Sequence, residues 1–231
     1  VGNMTTPRDI FVRGNYAYIA VANGLEIVDI TGTWDPIEHV GFIRNGAGGA
    51  VLNNAYSVQV VGNYAYVASL GSRALEIVNV ANPANPTHAG RLLNGTGGAW
   101  LDSPVSVSVW GTYAYVLNRN TSYIEVVDVS NPALPRHKAS LKLGDDYGAA
   151  GIFVSGNTVY IASSRNKSLD IVASSSGSIT GTGVRVLNLY RENTRLICRL
   201  PLAAKPAGSY HVVVTNPGLQ QSVLLNGFTI Y

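Results

Sequence analysis

Charged side chains are scarce in this sequence of 231 residues. They make up 13% of the chain, about half of the roughly 25% that an ordinary soluble domain carries. The formal net charge is only +3, and the lysines and arginines are scattered rather than clustered. Because nucleic-acid binding calls for a basic stripe with stacking aromatic side chains, we expect no nucleic-acid partner.

Long apolar runs and cysteine pairs are missing as well. No run of eighteen apolar residues occurs, so we predict no membrane span. Cys198 is the only cysteine, which excludes an intrachain disulfide and a cysteine-based metal cage. We interpret Cys198 as a small buried hydrophobic residue on a strand.

The common catalytic motifs are also absent from the sequence. It contains neither a Gly-x-Ser-x-Gly nor a His-Glu-x-x-His motif. The glycine-rich loops at 45–49 and 94–98 lack the following helix and lysine of a phosphate-binding loop. We therefore predict that the chain is not an enzyme and holds no cofactor.

The sequence does contain a repeat. A phrase of the type Gly-Asn-Tyr-Ala-Tyr-Val-Ala occurs four times, with glycine-to-glycine spacings of 48, 49 and 45 residues. An all-β period of about 40–50 residues is typical of propeller blades, which bury their faces against one another. Each unit alternates apolar and polar residues between Gly, Asn and Pro turns, and no stretch keeps a helical period. We predict an all-β fold with four propeller-like blades of antiparallel strands.

The third predicted strand of each of the first three units has a common wording. It reads Leu-Glu-Ile-Val-Asp at 25–29, Leu-Glu-Ile-Val-Asn at 75–79 and Ile-Glu-Val-Val-Asp at 124–128, each after a Tyr-Ala-Tyr strand. Together with Asn-Pro-Ala-Asn-Pro at 82–86, this makes residues 6–173 resemble the LVIVP repeat. The resemblance implies a β-propeller on an extracellular bacterial or archaeal protein, and no reaction.

These motifs divide the chain into a repeat domain and a second domain. We predict a first domain over residues 1–173, with units near 6–50, 51–98, 99–143 and 144–173. We expect the fourth unit to stop after three strands, so that the array of sheets is open or is completed by another chain. The second domain is predicted over residues 174–231, after a serine-rich change of composition.

The second domain resembles an IPT/TIG domain, an immunoglobulin-like sandwich common in surface and adhesion proteins. The resemblance lies in segments 194–201, 207–218 and 226–230 and covers the second half of such a domain. A complete sandwich has about seven strands and ~100 residues. We therefore predict an incomplete immunoglobulin-like β-sandwich with one face or edge uncovered.

The histidines and the repeated acids follow the period of the units. His39, His88 and His137 come about 25 residues after their unit's glycine, on the predicted outermost strand. We interpret these three as surface residues that point away from one another, and His211 has no evident partner. A residue repeated in every unit is part of the blade, whereas catalysis needs an asymmetric constellation; the acids to which this applies are Glu26, Glu76, Glu125 and Asp170.

The candidate metal ligands are three aspartates in loops. Asp145 and Asp146 lie side by side before the fourth unit, and Asp102 lies in the equivalent loop of the preceding unit. Hard cations need several oxygen ligands together. A solvated turn is the alternative that we favour, and we predict no metal site.

Several features favour an exported protein. Four Asn-x-Ser/Thr triplets offer glycosylation sites at Asn3, Asn94, Asn120 and Asn166. Sugars would supply the solubility that the sparse charges do not. Because the sequence begins with Val1, we expect that a signal peptide has been removed or that the chain has been trimmed.

Two classes of function remain. The first is a secreted structural subunit that forms a homopolymeric, pilus-like surface fibre, with its incomplete sandwich completed by a strand from another copy. The N-terminal segment 1–12 is the predicted donor because it lies outside the clear repeat. The assembly candidates are Val1, Met4, Ile10, Val12, Val212, Val214, Leu224 and Phe228. The alternative is a cell-surface adhesin or carbohydrate-binding module that binds glycans with the loops at one face of the blades.

Overall fold

A computed structural model describes the backbone of residues 4–32, 38–143, 148–165, 168–175, 178–187, 208–215 and 221–230, with side chains as far as residue 172. The chain divides into two compact units, Val1–Arg199 and Leu200–Tyr231. The first unit contains four sheets of four antiparallel strands each, and within every sheet the strands follow chain order. The repeat therefore forms four blade-like sheets, as predicted.

The strand bounds reproduce the period of the sequence. The first sheet is β1 (Asp9–Arg13), β2 (Tyr16–Val21), β3 (Gly24–Asp29) and β4 (Glu38–Arg44). The second is β5 (Ala55–Val61), β6 (Tyr64–Ser69), β7 (Ala74–Asn79) and β8 (Thr87–Leu93). The third is β9 (Pro104–Trp110), β10 (Tyr113–Asn118), β11 (Tyr123–Asp128) and β12 (Arg136–Lys142). The fourth is β13 (Ala149–Ser155), β14 (Thr158–Ser163), β15 (Ser168–Ser175) and β16 (Ser178–Leu187).

The first hairpin of each sheet is set by the repeated glycine. Gly14 and its equivalents have φ between 57° and 60°, a conformation that costs glycine little because it has no Cβ. In the first three sheets the Tyr-Ala-Tyr segment follows at once and forms the second strand, flanked by partners on both sides. In these three segments the second tyrosine is buried and the first is partly buried.

The core lies between the sheets. Three apolar clusters join the first sheet to the second, the second to the third and the third to the fourth. In each cluster the first three strands of one sheet meet the second and third strands of the sheet before it. Face-to-face burial of this kind is how repeated units stabilise one another.

Two expectations about the ends of the repeat are wrong. The fourth sheet has four strands, because β16 pairs with β15 from Ser175 opposite Ser178 to Ser168 opposite Leu187. The serine-rich segment therefore carries strand, although its composition suggested a break between domains. At the other end, Asp9–Arg13 form β1, the first strand of the first sheet, so the last part of the segment 1–12 lies inside the repeat.

The second unit contains one described sheet of two antiparallel strands, β17 (Gly208–Thr215) and β18 (Gln221–Ile230). Val212 lies opposite Leu224, and Tyr210 lies opposite Phe228. These described strands do not show an immunoglobulin-like sandwich. Within the described residues, no helix is long and apolar enough to span a membrane.

Candidate functional site

A buried glutamate is paired with a histidine in each of the first three sheets. Both residues sit on neighbouring strands, β3 with β4, β7 with β8 and β11 with β12. The histidine Nδ1–H donates to the glutamate Oε1, at 2.5 Å in the second and third sheets. The glutamates are fully buried, whereas the histidines are partly exposed. The pairs are Glu26–His39, Glu76–His88 and Glu125–His137.

The second carboxylate oxygen of these glutamates reaches the loop that enters the sheet. The backbone N–H of Val51 donates to Glu76 Oε2 over 3.0 Å, and that of Trp100 donates to Glu125 Oε2 over 3.0 Å. Each carboxylate therefore accepts from a histidine on its own sheet and from the connection that arrives from the preceding sheet. Both oxygens act only as acceptors, the role of an ionised carboxylate.

Burial shifts the pKa of these carboxylates. Loss of water raises the pKa of Glu76 and of Glu125, while the hydrogen bonds from the histidine and from the loop work in the opposite direction. Desolvation disfavours the charged form, and hydrogen bonds to that form favour it. In the fourth sheet the equivalent position on β15 carries Asp170, opposite Arg185.

The glycine-rich loops lie directly against the histidines. Gly48 and Gly49 have positive φ and approach His88, while Gly97 and Gly98 do the same at His137. Each loop is closed by an asparagine: Asn45 Oδ1 accepts from Leu52 N, and Asn94 Oδ1 accepts from Leu101 N, both at 2.8 Å. The loops thus serve as clasps between sheets rather than as phosphate cradles.

The sequence pattern alone did not predict this pairing. The histidines are on the fourth, outermost strands as predicted, yet their Nδ1 atoms bind the buried glutamates instead of pointing only into solvent. The signal was present, because every unit with His at this position also has Glu on its third strand, 12 or 13 residues earlier. Each pair is an internal part of its sheet and repeats from sheet to sheet, which is the behaviour of a structural element.

A second contact between sheets depends on glycine. A Cβ at Gly41 would collide with the carbonyl oxygen of Pro83, and a Cβ at Gly90 would collide with that of Pro132. These oxygens belong to the Asn-Pro loops of the following sheet. In the third sheet the equivalent position is Ala139, opposite Val126. Alanine thus replaces glycine in the third sheet, and the fourth sheet that follows it has no Asn-Pro segment in its sequence.

The first strands of neighbouring sheets are joined by hydrogen bonds from backbone to side chain. Val58 N donates to Asp9 Oδ2 over 2.9 Å, and Val109 N donates to Gln59 Oε1 over 2.6 Å. Serines play the same part at the other positions, with distances of 3.0–3.3 Å. In each pair the donor lies on the later sheet and the acceptor on the earlier one.

Apolar side chains are exposed on both end sheets, although on the first sheet the residues between them (Ala17, Ile19, Val21 and Val28) form a buried cluster with Met4 and Phe42. On the first sheet Ile10 is 59% exposed and Val12 is 55% exposed, and Ile30 beside them is also exposed. On the fourth sheet Phe153 is 62% exposed and Leu169 is 38% exposed. We call the first set the front face and the second set the rear face.

One exposed aromatic residue is held rigidly in a loop. The indole of Trp100 stacks on Tyr123, with ring centroids 4.8 Å apart and planes 6° apart, and it stays 46% exposed. Its backbone is fixed on both sides, since Trp100 N donates to Glu125 and Trp100 O accepts from Asn118 Nδ2 over 2.7 Å. A fixed, half-exposed indole can stack on a flat apolar ligand surface.

Comparison with known proteins decides the family. The LVIVD repeat matches residues 6–38, 53–93, 104–142 and 148–176, which is more than half of the chain. The chain belongs to the LVIVD-repeat family. The repeat expected from the third-strand motifs is thereby confirmed. Its name is LVIVD rather than LVIVP. No curated protein matches the sequence.

Solved structures show that this LVIVD-repeat chain resembles β-propellers. The β-propeller domain of Cps50 (Swd1) from Myceliophteria thermophila is 12% identical, with a TM-score of 0.56 over 71% of this chain and 52% of that one. A periplasmic gluconolactonase from Pseudomonas aeruginosa is 15% identical, with a TM-score of 0.61 over 96% and 68%. A protein from Lactobacillus plantarum is 12% identical, with a TM-score of 0.64 over 97% and 70%. At such identities the likeness shows the fold alone.

The predicted site residues are distributed over several parts of the LVIVD-repeat structure. Asp102 forms an ion pair with Arg73, and no group of three possible metal ligands occurs among the described residues. Asn120 is exposed in a turn, whereas Asn94 is partly buried in a clasp loop. The side chains of His211, Val212, Val214, Leu224 and Phe228 lie outside the described set, as do the residues Val1, Asn3, Asp145, Asp146, Asn166 and Cys198.

Proposed function

We propose that this chain is a secreted structural subunit of a bacterial or archaeal surface fibre, with copies of itself as its partner. The observation that carries the proposal is the apolar face of the fourth sheet, on which Phe153 and Leu169 are exposed. Every equivalent face between the sheets is buried. A stable protein rarely leaves such faces in water without a partner to cover them.

The C-terminal unit supports a second route to assembly. Its described sheet has two strands, and an isolated two-stranded sheet is marginally stable in water. We propose that this unit is the incomplete part of an IPT/TIG-type immunoglobulin-like sandwich, completed by a strand from another copy. Because β1 is already paired within the first sheet, it is not the donor strand in this proposal.

The composition is consistent with a protein that functions in an assembly. The chain has few charges and a slightly positive mean hydropathy of +0.15, so its surface has little charge repulsion to prevent association. We propose an extracellular or cell-surface location, where an exposed acceptor such as Asn120 can carry a glycan.

The test of the proposal is the state of the purified full chain. We expect light scattering after size exclusion to show masses above the 24.4 kDa of one chain that grow with concentration, and negative-stain images to show fibres. A single monomer mass from micromolar to millimolar concentration would overturn it.

The second candidate is a carbohydrate-binding module or adhesin, and Trp100 is the observation that favours it. Its indole is rigid and half exposed, as sugar-stacking residues need to be. We expect titration calorimetry with oligosaccharides to give heat for the native chain and none for Trp100→Ala. Trp110→Ala is the matched control, because Trp110 is similarly exposed at the end of β9. Equal binding by both variants would reject Trp100 as the site.

A lactonase activity is the third candidate function, since the similar Pseudomonas aeruginosa structure is named a gluconolactonase. The repeated Glu–His pairs do not favour it, because all three carboxylates are fully buried and those of Glu76 and Glu125 each accept from two donors. We expect gluconolactone to be hydrolysed at the rate of the buffer alone. A saturable rate that disappears on boiling the protein would overturn the structural proposal in favour of an enzyme.

A further inference from the structure

We propose that Arg8, Tyr56 and Arg119 form a binding site for a carboxylate of an acidic oligosaccharide. The three residues come from the first, second and third sheets and meet at the edge where the first strand of each sheet begins. We call this edge the entry edge. The inference goes beyond the fibre proposal and does not depend on it, and it gives the carbohydrate-binding candidate a class of ligand.

The ring of Tyr56 holds both guanidinium groups. The Cζ atom of Arg8 lies 4.9 Å from the ring centroid, and that of Arg119 lies 5.0 Å from it. Both distances are within the range of cation–π contacts, which extends to about 6 Å. Arg119 Nη2 also donates to Tyr56 Oη over 3.0 Å, so the phenol keeps its own hydrogen to donate. One tyrosine therefore holds two cations at one place.

A β-bulge sets the position of Tyr56. In the pairing of β5 with β6, Ala55 lies opposite Ser69 and Ser57 lies opposite Ala68, so Tyr56 is an extra residue without an opposite partner. A bulge changes the direction of a side chain and is frequent next to functional sites. The bulge thus takes Tyr56 out of the ordinary alternation of its strand.

The combination of these three residues occurs only once in the repeat. In the third and fourth sheets the extra residues of the bulge are Val105 and Ala150, which have neither a charge nor an aromatic ring. The position of Arg119 is also variable, and its equivalents relative to the repeated glycine are Ala22, Leu70 and Ser164. A contact needed to build every blade would recur in every unit, so this one points to a role outside the repeat architecture.

Both arginines are exposed and have their charge available for a ligand. Neither forms an ion pair with a carboxylate of the described residues. Asp9 follows Arg8, but its two oxygens accept from the backbone N–H groups of Ile10 and Val58. The other aspartate at this edge, Asp102, is paired with Arg73. Two guanidinium groups without a carboxylate are a ready acceptor site for an anion.

The charges of the described sheets are unevenly divided between the two edges. Arg44 ends β4 at the entry edge and adds a further exposed cation there. Asp29 and Asp128 end β3 and β11 at the opposite edge, and Glu38 begins β4 there. Because a surface with an excess of one sign attracts ligands of the other sign, anions should approach the entry edge.

Trp100 lies on the same edge of the third sheet as Arg119. Its carbonyl oxygen accepts from Asn118, the residue before Arg119, and its ring stacks on Tyr123 at the start of β11. An indole stacks on the apolar face of a sugar ring, whereas a guanidinium group binds a planar carboxylate through two parallel hydrogen bonds. An acidic oligosaccharide offers both features in one ligand, which favours it over a small inorganic anion.

The experiment is titration calorimetry of the full chain with a galacturonate hexamer. We expect Arg8→Gln and Arg119→Gln each to weaken binding by about tenfold, because each variant loses a charge-assisted hydrogen bond to the ligand. Arg13→Gln is the matched control, since Arg13 is also exposed and ends β1 at the opposite edge. Thermal melts check the fold: a lower melting temperature with native affinity in both cluster variants would show a structural role only and overturn the inference.

Two further probes separate the parts of the ligand. The methyl-esterified hexamer has the same sugar rings without charge, and we expect it to bind at least tenfold more weakly, as we expect of inorganic phosphate. Equal binding of either probe, no binding of the galacturonate hexamer, or equal weakening by Arg13→Gln would overturn the inference. The fibre proposal would survive each of these results, because its test is the mass of the assembled chain.

Discussion

The second and third sheets have both apolar faces covered, whereas the fourth sheet leaves Phe153 and Leu169 exposed on one face. All four sheets follow one repeat, with the same hairpins and the same Tyr-containing second strand. Leu75 and Leu169 hold equivalent positions, yet one is fully buried and the other is 38% exposed. The difference teaches that the repeat specifies a surface, while the presence of a neighbour decides whether that surface becomes a core.

The largest expected effect is a loss of stability when the leucines at these two equivalent positions are truncated. We expect Leu75→Ala to lower the free energy of unfolding by about 3 kcal/mol, because it leaves a cavity in a packed cluster. Leu169→Ala at the equivalent exposed position should lower it by less than about 1 kcal/mol. Urea denaturation at a concentration where the chain is monomeric measures both. Similar losses at the two positions would mean that the rear face is covered.

The glycine contacts give the next effect. Gly90→Ala places a Cβ against the carbonyl oxygen of Pro132, and overpacking of this kind costs about 1–3 kcal/mol. The reverse change at the equivalent position, Ala139→Gly, should cost about 0.5–1 kcal/mol, the ordinary penalty for glycine in a strand. Urea denaturation compares the two variants. If Gly90→Ala is the milder change, the Asn-Pro loop does not press on this strand.

The buried glutamate of the second sheet predicts a dependence of stability on pH. Burial raises the pKa of Glu76 above its ordinary value of 4.5. Its contribution to stability is therefore complete below pH 4.5 and is lost as the pH rises through the raised value. We expect Glu76→Gln to flatten the fall in stability over this window, measured by urea denaturation at a series of pH values. Glu38→Gln, at an exposed position on β4, is the control and should leave the slope unchanged.

The smallest effect on the fold should come from the glycan acceptors. Asn120 is exposed in a turn, whereas Asn94 is partly buried and closes a clasp loop through its Oδ1. We expect mass spectrometry of native material to find a sugar on Asn120 in preference to Asn94. Asn120→Gln should remove that mass and leave the melting temperature within about a degree, since it touches no buried group. Bare acceptors at both positions would contradict the glycan proposal.

Much of the fold could be predicted because its determinants are local. The Gly-Asn turns, the alternation of Tyr, Ala and Val, and the spacing of the repeats place β2, β6, β10 and β14 without any knowledge of packing. The fourth strand of the last sheet was missed because Ser178–Leu187 begins with residues that are typical of a linker. Its pairing with β15 depends on the partner strand, which no local pattern encodes.

The contact between the buried glutamates and the histidines could be predicted only in part. Glu76 and His88 both follow the period, so their repetition was visible. Their contact depends on a shift of register, in which Ile77 lies opposite Gly90 and the next residue, Val78, lies opposite His88. The contact between Glu76 and Val51 joins residues that are 25 positions apart, so no local sequence pattern indicates it.

The sequence by itself determined the repeat, the strands of the first three units and the alternation of apolar side chains along them, because turns and alternation act over a few residues. Only the tertiary structure decided which faces are covered, which histidine reaches which buried carboxylate, and where glycine is required by a neighbouring loop. These features arise when sheets stack, since burial, desolvation and collision all depend on atoms that are distant in the chain. The fourth sheet shows this limit of the local pattern: Leu169 repeats the position of the fully buried Leu75, yet it is 38% exposed.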